Sequence, residues 1–245
     1  QKIKQDFEKS IGKADTVVIT VPANFRNEAR EATLSAAKSA GLITQMLLNE
    51  PTAAALYYAH QSGASLNGIY VVYDLGGGTL DISVIKANGD DVEVMSSEGL
   101  GKLGGKDFDA KILEIISRKF KEQTGREFNT HDYNFTENDA EELKKSLSSV
   151  AEKKVLLVGR DIEPTKITVT RVEFEEAISG YIAQSEMLCE TVLVEAGITT
   201  GDIRDVFLAG GSSRIPLVKK TLHKFFNKEP VLAGNPDEAI ALGAA

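Results

Sequence analysis

The 245-residue sequence has no tryptophan, one cysteine and three histidines, and aromatics make up 7% of it. A single thiol excludes an internal disulfide. Cys189 follows Met187-Leu188 and reads as a buried core thiol. His60, His131 and His223 stand apart with no ligand spacing, which argues against a histidine metal centre. No apolar run approaches the ~20 residues that a membrane-spanning helix needs, so no membrane partner is expected. Basic residues are not in excess either. Lys and Arg number 28 against 36 Asp and Glu, a formal net charge of −8. That balance lacks the footprint of a nucleic-acid surface and favours solubility. Low-complexity segments and short-period repeats are missing too. The chain opens Gln1-Lys2 without Met, which reads as an excised piece of a longer protein.

What is present is ordinary globular composition, 42% hydrophobic and 26% charged, at a length that fits one large or two smaller domains. Residues 16–21 are apolar and β-branched and predict a strand. Asn27 should cap a helix with Glu28 and Glu31 in its first turn, ending at Gly41. A second strand is expected at 44–48. Pro51 then opens a helix to about residue 61, with Gly63 beyond its end. Two strands do not make a complete sheet, so more of it is expected upstream. Residues 69–73, 80–85 and 91–95 predict three further strands. Asp107 should cap a helix reaching about residue 122, followed by a polar loop at 129–135 and a short helix at 137–147. Residues 153–158 and 165–169 alternate as a hairpin turning at 159–164. Thr170 and Glu173 form a capping box for a long helix that ends near Gly197. A strand at 205–208, a helix to about residue 226 and a last helix opened by Asn235-Pro236 at Asp237 complete the pattern. This is an α/β sheet carrying a small α+β insert.

The chemistry concentrates in Asp74-Leu75-Gly76-Gly77-Gly78-Thr79-Leu80-Asp81. Three glycines between paired strands let backbone approach a ligand closely, and successive N–H groups there form a nest for anions. Asp74 and Asp81 would repel a bare phosphate, so a cation between them makes sense of both, as a Mg-nucleotide requires. A second glycine turn, Gly210-Gly211, follows a strand, and Ser212 or Ser213 should open the next helix towards the same anion. Gly99-Leu100-Gly101-Lys102-Leu103-Gly104 matches a dinucleotide fingerprint, but the acidic strand end expected ~20 residues later is missing. It reads instead as a third phosphate-approaching loop, closest at Gly104-Gly105. Glu141, Lys144 and Ser148 share a helix face bordered by Lys145. That face could hold a ribose and a base, or simply be solvated. Glu50, between a strand end and a proline-started helix, could favour the helix dipole or orient water around a metal. Spacing does not decide.

Taken together these residues resemble the DnaK-type, seventy-kilodalton heat-shock chaperone family, specifically its nucleotide-binding domain. The resemblance rests on Val21-Pro22-Ala23-Asn24-Phe25, Asn49-Glu50-Pro51-Thr52-Ala53-Ala54-Ala55, the Asp74 to Asp81 segment, Leu103-Gly104-Gly105-Lys106-Asp107-Phe108-Asp109, Gly210-Gly211-Ser212-Ser213-Arg214-Ile215-Pro216 and Asn235-Pro236-Asp237-Glu238-Ala239. It implies the actin-like, ribonuclease-H-like ATPase fold. Residues 1–67 would be part of a first lobe. Residues 68–245 would be the second lobe, with its base at 68–102 and 179–245 and an upper subdomain at 103–178. The implied ligands are ATP or ADP, Mg2+ and an accompanying K+. By the same resemblance Gly76, Gly77, Gly78 and Thr79 hold phosphates, and Glu50, Asp74 and Asp81 arrange metal ions through water together with the attacking water. Gly104 and Gly105 close over phosphate. Glu141, Lys144, Lys145 and Ser148 flank adenosine opposite Gly210, Gly211, Ser212 and Arg214, and Asp237 completes the pocket. Pro22 and Arg30 are the implied switch and relay.

The implied partners are a J-domain co-chaperone, a nucleotide exchange factor and unfolded clients bound by a separate peptide-binding domain, in a cytoplasmic setting. The sequence departs from the family pattern in places. Lys145 stands where the family usually has Arg, and Gly101-Lys102 replaces Thr-His. Lys106 occupies an often acidic position. Asn24, Arg26 and Met46 differ on the co-chaperone-facing surface, which suggests a specialised paralogue. The family's first phosphate loop and catalytic lysine are not in this sequence, so the chain alone is expected to hydrolyse ATP poorly. A sugar kinase or an actin-like filament protein of the same superfamily would share the phosphate loops. A kinase would not need the segment from Asn49 to Ala55.

Overall fold

The computed structural model describes residues 2–10, 12–13, 16–159, 163–232 and 234–245. In chain order the elements are α1 (Lys2–Ser10), β1 (Thr16–Val21), α2 (Asn27–Ser39), β2 (Ile43–Asn49), α3 (Glu50–Ser62), β3 (Asn67–Leu75), β4 (Leu80–Asn88) and β5 (Asp91–Leu100). They continue with α4 (Gly105–Thr124), α5 (Glu137–Leu147), β6 (Glu152–Leu157), β7 (Thr165–Thr170), α6 (Arg171–Ala196), β8 (Ile203–Ala209), α7 (Pro216–Phe226) and α8 (Ala239–Ala244). The chain is mixed α/β, as its alternating pattern predicts.

The apolar run in β3 has cover on both faces, which such a run requires. β3 lies inside a four-stranded sheet of order β5-β4-β3-β8, antiparallel to β4 and parallel to β8. Its side chains alternate between two cores, as strand geometry dictates. Val71, Tyr73 and Leu75 join the larger core with residues of α4, α5, α6 and α7. Tyr70 and Val72 point the other way, into a smaller core with Ala54, Ala55, Tyr57 and Tyr58 of α3. There Phe207 stacks between Tyr58 and Tyr70, with ring centroids 4.3 and 5.0 Å away. The Tyr58 hydroxyl reaches the carbonyls of Leu208 and Val231. β1 and β2 form a separate parallel pair, and β6 and β7 an antiparallel hairpin whose predicted turn falls partly on 160–162, outside the described residues.

The starts of four helices differ from expectation. Asn27 is the first residue of α2 rather than its cap, and no side chain caps that end. Asp107 acts from the third position inside α4, its carboxylate accepting the Gly104 N–H at 2.8 Å. α7 begins at Pro216 and not at Ser212 or Ser213, because both serine hydroxyls donate to carbonyls instead of accepting helix N–H groups. α8 begins at Ala239, because Asn235 Oδ1 draws the Asp237 N–H into an Asx-type turn. The Thr170/Glu173 box stands as predicted.

Phe207 is 4% exposed. Phe207→Ala should destabilise the chain by ~3–5 kcal/mol through lost burial and a residual cavity. Urea unfolding is the check.

Candidate functional site

The ladder between β3 and β4 places Asp74 directly opposite Asp81. Like charges in facing positions repel, and here the sheet forces the meeting. The first residue of α3 adds Glu50. Pro22, Ala23 and Val72 line the same small space as the three acids. Burial first, and then the neighbouring Asp81, raise Asp74 to about 7. Glu50 is also raised to about 7, by burial first and then by Asp74 and Asp81. Asp81 is raised by burial, with hydrogen bonds from Thr79 and Asn24 opposing. No lysine or arginine contributes to any of these shifts. Among the described residues no group of three His, Cys, Asp or Glu is arranged to hold an ion directly. The acids therefore lack a counter-charge, and contact with a cation through water is the geometry they can offer.

Beside them the β3–β4 turn closes on itself, the Gly76 N–H donating to the Thr79 carbonyl at 3.0 Å. The N–H groups of Gly77 and Gly78 find no acceptor among the described residues, and both glycines are exposed. The carbonyls of Gly76 and Gly77 are both used. The Gly76 carbonyl accepts from the Gly105 N–H and from the Ser212 hydroxyl, each at 3.0 Å, and the Gly77 carbonyl accepts from Lys106 N–H at 2.8 Å. The three loops singled out in the sequence thus meet at one place. Two of the contacts admit only glycine. A Cβ on Gly104 would lie 2.5 Å from Gly78 N. Gly210 has φ +75°, and a Cβ there would lie 2.6 Å from Asp74 Oδ1.

A cleft of about 490 Å³ opens from Gly77. Glu141, Lys144 and Lys145 of α5 and Ser148 just past its end form one wall, and Gly211, Ser212, Arg214 and Asp237 form the other. Arg214 donates to Asn235 Oδ1 at 2.8 Å and lies 3.6 Å from Asp237. Ile215 and Leu232 add apolar lining. Lys144 is buried, 2.8 Å from Asp109 Oδ1 and donating to the Gly105 carbonyl at 3.0 Å. Lys145 is exposed and pairs with Glu141 and Glu142.

Sequence reasoning missed Asp109, Asn235, Ile215 and Leu232 as parts of this site. Asp109 and Asn235 sit inside motifs already noted, but their partners are far away in the chain. Arg30 lies outside the cleft. It ties the carbonyls of Ala23 and Phe25 to Asn49 Oδ1, next to Glu50. Met46 is 54% exposed on β2, and Asn24 reaches Asp81 Oδ1 at 3.5 Å.

Gly104→Ala should force the two turns apart and destabilise the chain by ~1–3 kcal/mol. Hydrogen exchange at the Gly105 and Lys106 amides should accelerate more than at the amides of β4. Unchanged protection there would contradict the packing described.

The family model described as Hsp70 protein matches residues 1–245, and the chain belongs to that family of chaperone ATPases.

Proposed function

We propose that this chain binds and hydrolyses ATP within a heat-shock-type chaperone, coupling nucleotide state to the handling of unfolded proteins. One observation carries the reading. The unpartnered amides of Gly77 and Gly78 need an anion, and Glu50, Asp74 and Asp81 beside them need a cation. A magnesium-bound nucleotide satisfies both at once. The family binds ATP or ADP with Mg2+, and K+ as an accompanying ion belongs to this proposal. In it, Gly76 to Thr79 cradle phosphate, Gly104 and Gly105 brace that cradle, and the acids orient metal-bound and attacking water. Mg2+ would supply neutralisation of phosphate charge.

The cleft beyond would take the nucleoside. Glu141 and Lys145 of α5 and Ser148 just past its end would face it from one side, and Gly211, Ser212, Arg214 and Asp237 from the opposite wall. In the proposed actin-like arrangement, residues 1–67 contribute to a first lobe. Residues 68–102 and 179–245 form the base of the second, and 103–178 its upper subdomain, with α6 running through both parts. Pro22, against the acids, and Arg30, bound beside Glu50, would pass nucleotide state outward. A J-domain co-chaperone, an exchange factor and unfolded clients are the proposed partners, in the cytoplasm. Transition-state charge in phosphoryl transfer is held by several cations. The described residues bring none to the acids, so slow turnover is expected of the chain by itself.

Asp74→Asn in the full-length protein should lower the single-turnover rate of ATP hydrolysis at least ~10-fold while changing ADP affinity less, because orientation of water matters most in the transition state. An unchanged rate would reject the role. The same substitution tests the electrostatics without nucleotide. A carboxyl raised on folding costs stability as pH rises from its unfolded value through its folded value near 7. Asp74→Asn should therefore raise stability at pH 8, on the order of 1–3 kcal/mol. The gain should fade towards pH 4. Thermal melts across that range decide it.

A further inference from the structure

The second half of α6 has an outward face unlike that of an ordinary surface helix. Ile182, Cys189, Val192 and Leu193 point inward, into the larger core. The opposite side, which such a helix normally fills with polar groups, carries Ala183, Met187 and Val194. Met187 is 68% exposed and Val194 78%. They stand two helical turns apart, so they lie along one line. Exposed Glu190 and Glu195 flank that line. α7 packs beside α6, and its Val218, Leu222 and Phe226 enter the same core. Both helices therefore cover one face of the sheet and turn their outer sides to solvent together. The outer side of α7 is basic. Lys220 and Lys224 are exposed there, while His223 pairs with Glu229 at 2.8 Å. Among the described residues, Glu190, Glu195, Lys220 and Lys224 form no ion pair. Two neighbouring helices thus carry opposite, unmatched charge, with an apolar line along the acidic one.

We propose that this face receives a second copy of the chain, with the acidic strip of each α6 against the basic strip of the other copy's α7. The strips match in length. α7 has 11 residues, about 16 Å, and Ala183 to Val194 spans nearly the same. A two-fold axis laid along the seam between α6 and α7 sets each α6 opposite the other copy's α7. Acidic then meets basic twice, and the surface is complementary to itself, as a two-fold interface requires. A foreign basic helix would match α6 but would set its own charge against Lys220 and Lys224. Two short helices side by side offer roughly 300 Å², well below the ~800 Å² per partner of a standard interface. The dimer is therefore weak, and salt weakens it further by screening exposed pairs. Lys219 lines the nucleotide cleft, but Lys220 and Lys224 do not. The face is separate from the proposed nucleotide site and is tested without nucleotide.

The experiment is sedimentation equilibrium at high micromolar concentration on the wild-type chain, on Glu190→Lys/Glu195→Lys and on Lys220→Glu/Lys224→Glu. The wild type should form a reversible dimer whose Kd rises at least ~5-fold between about 0.05 and 0.3 M salt. Each reversed variant carries one sign of charge on both helices, so each should be monomeric alone. Mixed in equal amounts, the two variants should dimerise again, because each α6 then meets an α7 of opposite charge. A wild-type chain that stays monomeric overturns the proposal. So does a dimer that survives either reversal, or a mixture that stays monomeric. A basic amphipathic helical peptide is titrated in parallel. Its capture by a monomeric wild type overturns self-association and assigns the α6 face to a different partner. Should a reversed variant fail to fold, Met187→Gln decides. Loss of the central apolar contact should weaken the dimer at least ~3-fold, and an unchanged Kd overturns the proposal.

Discussion

The carbonyl of Gly76 is the junction on which the site depends. Two donors from opposite directions meet on it, the Gly105 N–H at the start of α4 and the Ser212 hydroxyl after β8. A carbonyl with both lone pairs used is held in orientation, and the peptide planes next to it follow. With the carbonyls of Gly76 and Gly77 turned towards protein, the amides of Gly77 and Gly78 are left facing outwards. Local sequence makes the turn flexible, and long-range contacts make it rigid in one particular orientation. Each contact alone contributes about 1 kcal/mol. Their common acceptor makes the arrangement cooperative, since loss of one loosens the geometry that the other needs.

The second constraint is electrostatic and works against folding. Antiparallel register sets Asp74 opposite Asp81, and the start of α3 delivers Glu50 to the same space. A sheet selected only for stability would not place three acids together without a cation. The fold tolerates them because the surrounding core is large and apolar, with Val71, Tyr73, Leu80 and Ile82 all buried at its centre. Strain of this kind clusters where a ligand relieves it.

Local features were legible in the sequence, and long-range ones were not. The strands around the Asp74 to Asp81 turn follow from apolar runs broken by glycine, and the Thr170/Glu173 box announces α6 by side-chain spacing alone. The glycines at 104–105 and 210–211 could be recognised as close-approach points. That Gly105 and Ser212 both donate to the Gly76 carbonyl could not, because the Ser212 contact spans 136 residues. α1 went unseen because Lys2–Ser10 is mostly polar and carries no cap signal. The starts of α7 and α8 were misplaced for a related reason. Ser212, Ser213 and Asn235 have the side chains of helix caps, but the distant Gly76 carbonyl takes Ser212, and local turns take Ser213 and Asn235. The burial of Lys144 was hidden too, since its partner Asp109 lies on another helix.

The central claim is that the Gly77 and Gly78 amides are held outwards to receive phosphate charge. The most direct measurement is an amide-resolved nuclear magnetic resonance titration of this chain with Mg2+-ADP, compared with adenosine. The account predicts that the Gly77 and Gly78 amide resonances show the largest shifts on adding Mg2+-ADP and stay nearly still with adenosine. Large shifts confined to α5 and residues 210–214 for both ligands, with Gly77 and Gly78 unmoved, would contradict it.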